Sequence, residues 1–285
     1  MRKFLLVVLL AANLSLHAQS GNSSPGEGRV QVNGASIFYV DSGGSGVPLV
    51  LLHAATGSVE AWEKQVSAIT GAGFRFLAFD RRGWGKSTTG TTAGKTAGTA
   101  ADDLAALLDH LKIDRCHVLG TAAGGFAAFD FALSYPQRLR SLIIANSIGG
   151  MEDAALVQLG RRLRPPEFDA LPPELKELGP AYRASDARGE EHWSQLERRS
   201  RPEGPRAPAQ PLKNHLTLAA LSVIAAPTLF LTGGADLYAP PALQQFFAAR
   251  VRNSKSVVLA DVGHSGYWEQ PEAFNRAVIG FLQGR

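Results

Sequence analysis

Short apolar runs alternate with amphipathic stretches along most of the chain. The apolar runs are rich in β-formers and are typical of buried parallel strands. The stretches between them place apolar residues three or four positions apart, as in residues 99–111, where several leucines share one face. This alternation predicts parallel strands with right-handed crossovers, and therefore an α/β protein with a mostly parallel twisted sheet flanked by helices. The predicted strands are 29–33, 36–41, 47–52, 74–79, 116–119, 138–145, 227–231 and 256–259, and the predicted core helices are 60–71, 99–111, one ending near 134, 241–251 and 271–282.

The pattern changes after residue 147. Residues 148–215 are rich in Arg, Glu and Pro, balance eleven basic against eleven acidic side chains, and show helical but no strand-like periodicity. Apolar anchors recur within the segment, which argues against disorder. We interpret it as a helical cap inserted into a core domain of residues 29–147 and 216–285, with a loop over 198–211. The anchors are Leu156, Leu159, Leu163, Leu175, Leu178, Tyr182 and Trp193.

The N-terminus has the three-part pattern of a secretory signal peptide. Two basic residues precede an apolar run at 4–12, and small residues near position 18 offer a cleavage point. We therefore predict a signal peptide over 1–18, a polar linker over 19–28, and export to the periplasm or the medium. A membrane anchor is the alternative, but the apolar run is short for a bilayer span, so no stable membrane association is expected after cleavage.

Composition narrows the range of partners. The formal net charge of +4 falls to +2 without the two basic residues of the signal, which does not favour nucleic acid as a partner. The single cysteine, Cys116, cannot pair within the chain and is expected to be a small buried hydrophobe. No metal-ligand spacing, phosphate loop or dinucleotide fingerprint occurs, so we expect a small-molecule substrate without cofactor or metal. Oligomeric state is left open.

The most informative stretch for chemistry is residues 116–134. A strand-like run meets the small residues Gly-Thr-Ala-Ala-Gly-Gly at 120–125, and a helix-forming run follows at once. A turn this tight needs very small residues. The nucleophile elbow of hydrolytic enzymes, G-x-S-x-G, has the same layout with serine at the apex. Here the apex is Ala122, so the elbow lacks its nucleophile.

From about residue 30 to the C-terminus, the chain resembles the α/β-hydrolase superfamily. Four motifs occur in that family's order, each after a predicted strand. His-Ala-Ala-Thr-Gly at 53–57 resembles the oxyanion loop, and Asp-Arg-Arg-Gly-Trp-Gly-Lys-Ser at 80–87 resembles the D-x-R-G-x-G-x-S turn. Thr-Gly-Gly-Ala-Asp at 232–236 resembles the acid loop, and Val-Gly-His at 262–264 resembles the histidine loop.

The resemblance implies a role for each of these loops. His264 would be the general base and Asp236 the acid that orients it. The main-chain N–H groups of Ala55 and Ala123 would form the oxyanion hole, which survives a change of side chain at Ala122. His53 and the residues at 80–82 would brace the loops without acting in catalysis. Trp84, Trp268 and His192 are candidates for the substrate pocket, although each could equally serve packing or a solvated surface.

Three explanations of Ala122 remain open. A natural serine could have been replaced in this chain. Alternatively, the enzyme could work without a nucleophile, with His264 activating water against an ester, lactone or activated ketone, or abstracting a proton in lyase chemistry. The third explanation is a catalytically silent protein that binds a small ligand beneath its cap. Thr121 is a poor substitute nucleophile, because its side chain leaves the backbone one residue before the apex.

Overall fold

The computed structural model describes residues 25–90, 98–201 and 210–285. The predicted signal peptide and residues 19–24 of the predicted linker therefore lie outside the described residues. The described chain forms one eight-stranded sheet with the order β1-β2-β4-β3-β5-β6-β7-β8. The strands are β1 Gly26–Val32, β2 Ala35–Asp41, β3 Pro48–Leu52, β4 Arg75–Phe79, β5 Cys116–Thr121, β6 Leu139–Ala145, β7 Thr228–Gly233 and β8 Ser254–Leu259.

The first two strands form an antiparallel hairpin at one edge of the sheet. Asn33 and Gly34 connect them with φ angles of 47° and 83°, the two left-handed residues of a tight hairpin turn. Strand β2 pairs antiparallel with β4, and every later pair is parallel. Strand β1 begins at Gly26, so the predicted linker extends three residues too far, because Gly26 to Gly28 pair with residues 39–41.

Helices cover both faces of the sheet, and the apolar core is divided between those faces. In β3, Val50 and Leu52 belong to one cluster, whereas Leu49 and Leu51 belong to the other, as the alternation of side chains along a strand requires. The predicted three-layer α/β architecture is thus confirmed. The helices are α1 Val66–Gly71, α2 Ala100–His110, α3 Ala123–Ser134, α4 Ala154–Leu163, α5 Pro173–Glu177, α6 Pro180–Ser185, α7 Ala187–Ser200, α8 Leu218–Leu221, α9 Pro241–Ala248, α10 Gly266–Glu269 and α11 Pro271–Leu282.

Several predicted boundaries are wrong, among them that of the helix predicted over 241–251, which ends at Ala248. The predicted helix 60–71 is divided into a 3₁₀ turn, Val59–Trp62, and α1. The division lies beside Gln65, whose buried side-chain amide donates to the Tyr267 carbonyl. Helix α7 continues to Ser200, inside the predicted loop 198–211, because Leu196 and Glu197 are buried in its last turns.

The segment between β6 and β7 contains helices and loops but no strand in its described part. It contains α4 to α8 and a 3₁₀ turn, Phe168–Ala170, and residues 202–209 lie outside the described part. Leu156, Leu178 and Trp193 are buried as expected of anchors, but Leu163 is exposed because it closes α4 on the solvent side. Cys116 is buried in β5, and burial raises the pKa of its thiol to about 12. Across the described ranges, no helix is both long and apolar enough to span a bilayer.

Candidate active site

The turn between β5 and α3 is tightly packed and strained at its apex. Ala122 has φ 48° and ψ −119°, a conformation that residues with a Cβ rarely adopt. The residues two positions away on either side, Gly120 and Gly124, have no room for a side chain. A Cβ on Gly120 would lie 2.4 Å from the Gly124 carbonyl oxygen, and one on Gly124 would lie 2.1 Å from the Leu52 carbonyl oxygen. The small residues therefore allow the start of α3 to pack against the carboxyl end of β3.

His264 and Asp236 form a buried pair at the same edge of the sheet. Asp236 follows β7 and His264 follows β8, and His264 Nδ1 lies 2.9 Å from both carboxylate oxygens of Asp236. Their exposed fractions are 3% for Asp236 and 5% for His264. The main-chain N–H groups of Tyr238 and Ala239 also donate to Asp236 Oδ1. The contact expected from the sequence between these two side chains is present. It involves Nδ1 of the His264 ring and not Nε2.

Asn146 joins this pair to the turn at Ala122. Its amide nitrogen lies 3.0 Å from Asp236 Oδ2 and 3.0 Å from the Gly263 carbonyl oxygen. The residues on either side of Asn146 hold Ala122: the Ala122 N–H donates to the Ala145 carbonyl, and the Ser147 hydroxyl donates to the Ala122 carbonyl. The turn, the acid and the histidine loop therefore meet around the end of β6.

The pKa values of the two partners are shifted in opposite directions. Burial alone would lower the pKa of His264, but the negative charges of Asp236 and Glu177 and the bond to Asp236 raise it above its usual value. Burial alone would raise the pKa of Asp236. His264 and the hydrogen bonds from the main chain and Asn146 instead hold the pKa of this carboxyl below its usual range. The imidazolium form of His264 is thus stabilised next to an ionised Asp236.

The two main-chain groups predicted to bind an oxyanion lie on either side of the contact between β3 and α3. Ala123 is the first residue of α3, and Ala55 lies in the loop after β3. Within the part of the chain that the structure describes, neither N–H donates to another protein group. The Trp84 indole donates to the Ala55 carbonyl at 2.9 Å, so Trp84 fastens this loop.

The buried polar residues after β3 and β4 have structural partners. His53 Nδ1 donates to the Ala54 carbonyl, and its Nε2 accepts the Arg81 N–H at 3.0 Å. Burial lowers the pKa of His53 well below its usual value, so the ring is neutral. Asp80 accepts the main-chain N–H groups of Val59 and Lys86. These contacts connect the loops at 53–59 and 80–87, the bracing role expected of them.

Trp268 and His192 lie in the contact between the cap and the core. Trp268 is fully buried, and its indole donates to the Gly189 carbonyl at 3.2 Å. Lys64 Nζ lies 3.9 Å from the centre of a Trp268 ring, and His192 packs edge-on against Trp268 from the exposed surface of α7. These contacts are packing contacts, and neither residue lines the cavity described next, so their substrate-binding role stays a prediction.

A cavity of about 240 Å³ lies between cap helix α4 and core helix α9. The Arg164 guanidinium, at its wall, lies 5.2 Å from the Tyr238 ring centre. The Tyr238 ring in turn lies against the His264 imidazole, with 4.4 Å between ring centres. The Tyr238 side chain therefore lies between Arg164 of the cavity wall and the His–Asp pair. Its lining residues are Ile148, Met151, Leu156, Val157, Gly160, Arg161, Arg164, Leu243 and Phe247.

Three residues of this region were not identified from the sequence. No role was assigned to Asn146 or Tyr238, and Glu177 lay in the segment interpreted as a helical cap without being singled out. The neighbouring Pro240 and Pro241 give Tyr238 a rigid setting, which is the only local signal. Among the described side chains, no group of three or more His, Cys, Asp or Glu is arranged to hold a metal ion.

A mostly parallel sheet whose carboxyl edge carries a strand–turn–helix elbow and a buried His–Asp pair defines an α/β protein of hydrolase type. Sequence comparison agrees with the geometry. The profile described as alpha/beta hydrolase fold matches residues 47–271, and the chain belongs to this family.

Individual relatives give the same result. A 2-hydroxy-6-oxononadienedioate/2-hydroxy-6-oxononatrienedioate hydrolase from Burkholderia vietnamiensis is 32% identical over 266 residues, which cover 87% of this chain and 91% of the relative. A thermophilic esterase from Thermogutta terrifontis superposes with a TM-score of 0.75 at 26% identity, covering 90% of this chain and 98% of the esterase. An enol-lactonase from Burkholderia xenovorans LB400 superposes with a TM-score of 0.73 at 24% identity, covering 90% of this chain and 100% of the enol-lactonase. At this identity the likeness shows the shared fold alone.

Proposed function

We propose that this protein is an exported enzyme that hydrolyses a small, largely apolar carbonyl compound, an ester, lactone or activated ketone, without a serine nucleophile. The observation that carries the proposal is the buried His264–Asp236 pair, which is bonded to Asn146 between the two residues that hold Ala122, although the Ala122 side chain has no oxygen. Retention of a polarised base beside a turn without a nucleophile supports base catalysis on something other than the protein chain. Alanine at the apex excludes an acyl-enzyme at this position.

Water takes the place of the missing hydroxyl in the proposed reaction. His264 Nε2 removes a proton from a water molecule held beside the Ala122 methyl group, and the oxygen attacks the substrate carbonyl carbon. The N–H groups of Ala55 and Ala123 receive the negative charge that develops on the carbonyl oxygen. The tetrahedral intermediate then expels its alkoxide or enolate, which takes the proton back from the His264 imidazolium. Asp236 stays ionised and holds the ring in place.

The groups available to the proposed reaction predict a modest rate enhancement. A positioned general base contributes about 10²–10⁴-fold, and each well-placed oxyanion donor contributes about 10²–10³-fold. The cavity beside Tyr238 would accept the apolar part of the substrate, since most of its lining side chains are aliphatic or aromatic. A carbonyl substrate is also supported by the relatives, which include a hydrolase of an oxo-dienedioate and an esterase. Export is supported by the signal-like pattern at residues 1–18 alone.

The test compares three forms of the protein on p-nitrophenyl esters and simple lactones. We expect slow turnover by the natural sequence, loss of at least about 10²-fold in His264→Ala, and no change in His215→Ala, a matched control on an exposed histidine. Wild-type turnover that survives His264→Ala would contradict the proposal. A fluorophosphonate probe should leave the natural sequence unlabelled.

Ala122→Ser tests the alignment of the same groups independently. If the base and the oxyanion donors are aligned with the apex, the new hydroxyl should be acylated, giving a burst of p-nitrophenol and labelling by the fluorophosphonate. Burst kinetics in Ala122→Ser combined with no turnover by the natural sequence would replace the hydrolase proposal with a silent binding protein. Proton exchange at the α-carbon of a ketone, without its hydrolysis, would instead support lyase-type chemistry.

A further inference from the structure

The cap contributes main-chain contacts to the loop that carries His264. The N–H groups of His264 and Ser265 both donate to the carbonyl oxygen of Glu177, at 2.7 and 3.0 Å. Glu177 is the last residue of cap helix α5. Two residues further on, the Gly179 N–H donates to Glu269, which also accepts the Gly263 N–H. The main chain of the cap is thus fastened to the histidine loop on both sides of His264.

The side chain of Glu177 is unusual for a residue of a charged segment. It is 5% exposed, and its Oε2 has no hydrogen-bond partner in the described structure. A buried carboxylate without such partners is unfavourable, because desolvation penalises its charge. Burial accordingly raises the pKa of Glu177 to about 7, and the nearby positive charge of His264 counteracts part of that rise.

We propose that Glu177 is a positioning residue of the active site, through which the cap places a buried carboxyl group beside the histidine loop and thereby sets the basicity of the proposed base. An ionised Glu177 favours the imidazolium form of His264, whereas a neutral side chain at this position does not. Asp236 keeps its own hydrogen bonds from the main chain and Asn146 in either case.

The charges of Glu177 and His264 act on each other. Glu177 raises the pKa of His264, and His264 lowers that of Glu177, so each stabilises the charged form of the other. Asp236 acts on both groups, whereas Lys176 and Glu197 of the cap act on Glu177 and Glu269 acts on His264. Burial and the charge of Glu177 raise the pKa of the Tyr238 and Tyr267 phenols.

The test is an NMR titration of the His264 ring, assigned by its absence in His264→Gln. Removing the Glu177 charge disfavours the imidazolium, so Glu177→Gln should lower the titration midpoint of His264 on the order of one pH unit. Glu174→Gln, the same change on the same helix, should leave the midpoint in place. Glu177→Asp keeps the carboxyl and should recover most of the wild-type midpoint.

An unchanged His264 midpoint in a folded Glu177→Gln variant would overturn the inference. If that variant does not fold, the wild-type protein with ¹³C-labelled glutamate decides instead. The Glu177 carboxyl should then titrate in the same pH range as the His264 ring, and a midpoint near that of exposed glutamates would overturn the inference. The inference rests on His264 as the base of the proposed function, but the titration needs no turnover, so absence of hydrolysis would not affect it.

Discussion

Replacement of Arg82 by methionine should destabilise the whole domain, because Arg82 neutralises a buried carboxylate. Arg82 is 2% exposed and Asp103 is not exposed at all. The guanidinium makes two parallel bonds to Asp103, Nε to Oδ2 at 2.7 Å and Nη2 to Oδ1 at 2.6 Å, and it also donates to the Val32 carbonyl at 2.7 Å. One side chain thus connects the 80–87 loop with α2 and β1.

The expected loss follows from what remains after the change. In Arg82→Met, Asp103 stays buried, and among the described residues it is left with one side-chain donor from another part of the chain, the Gln210 amide at 2.8 Å. Breaking a buried pair in this way costs about 3–5 kcal/mol, a large share of the roughly 5–15 kcal/mol that stabilises a typical domain. The double variant Arg82→Met/Asp103→Leu removes both charges and should recover most of that loss.

Urea unfolding followed by circular dichroism measures both effects. Arg198→Met is the matched control, because Arg198 pairs with Glu191 on the exposed surface of α7, where both side chains are about 60% exposed. Such a pair contributes roughly 0–1 kcal/mol. The reasoning is refuted if Arg82→Met costs no more than Arg198→Met, or if the double variant is as unstable as the single one.

Two further predictions concern the elbow and the pH dependence of stability. Gly124→Ala places a Cβ 2.1 Å from the Leu52 carbonyl oxygen and should lower Tm sharply. Gly160→Ala, with open space at that position in α4, should raise stability by about 0.5–1 kcal/mol. Equal effects of the two substitutions would contradict the packing argument. His53 is held neutral, so its stabilisation is present above its unfolded pKa near 6.5 and is lost as pH falls through that value. Between pH 6.5 and 5, the free energy of unfolding should therefore fall more steeply in the wild type than in His53→Gln, by up to about 1.4 kcal/mol per pH unit. Parallel curves for the two proteins would contradict this prediction.

The strands and the loops of the site could be predicted because their signals are local. Buried parallel strands appear as short apolar runs, and the side chains that follow them lie at the carboxyl edge of the sheet. This pattern predicts that Asp236 and His264 lie at one edge of the sheet, and the two side chains are in contact. The elbow glycines could be predicted for the same reason, because a tight turn restricts residue size at each position.

The connecting residues could not be predicted because their partners are distant in sequence. Asn146 bonds to groups 90 and 117 residues away, and nothing in its own neighbourhood indicates either contact. Glu177 lies in the charged segment interpreted as a cap, and no local pattern marks it as buried. It is buried because its main-chain carbonyl pairs with the histidine loop, a contact that depends on how the cap docks. Interactions of this kind arise from tertiary structure and override local composition.

The turn between β5 and α3 has an unusual backbone conformation at Ala122. Its φ of 48° and ψ of −119° are sparsely populated for alanine and cost about 1–3 kcal/mol. The conformation persists because neighbouring groups impose it. The Ala122 N–H and carbonyl are bonded to Ala145 and Ser147, and Gly124 packs directly on the end of β3.

If strain is stored at this residue, glycine should relieve it. Ala122→Gly loses about 0.5–1 kcal/mol through the greater freedom of the unfolded chain, but it gains the larger strain energy, so the net effect should lie between no change and a stabilisation of about 1–2 kcal/mol. Ala78→Gly, at a fully buried position of ordinary geometry in β4, should destabilise. Urea unfolding of the two variants decides the point. An equal loss in both would mean that the elbow holds no strain, and that the surrounding contacts fit an alanine there without cost.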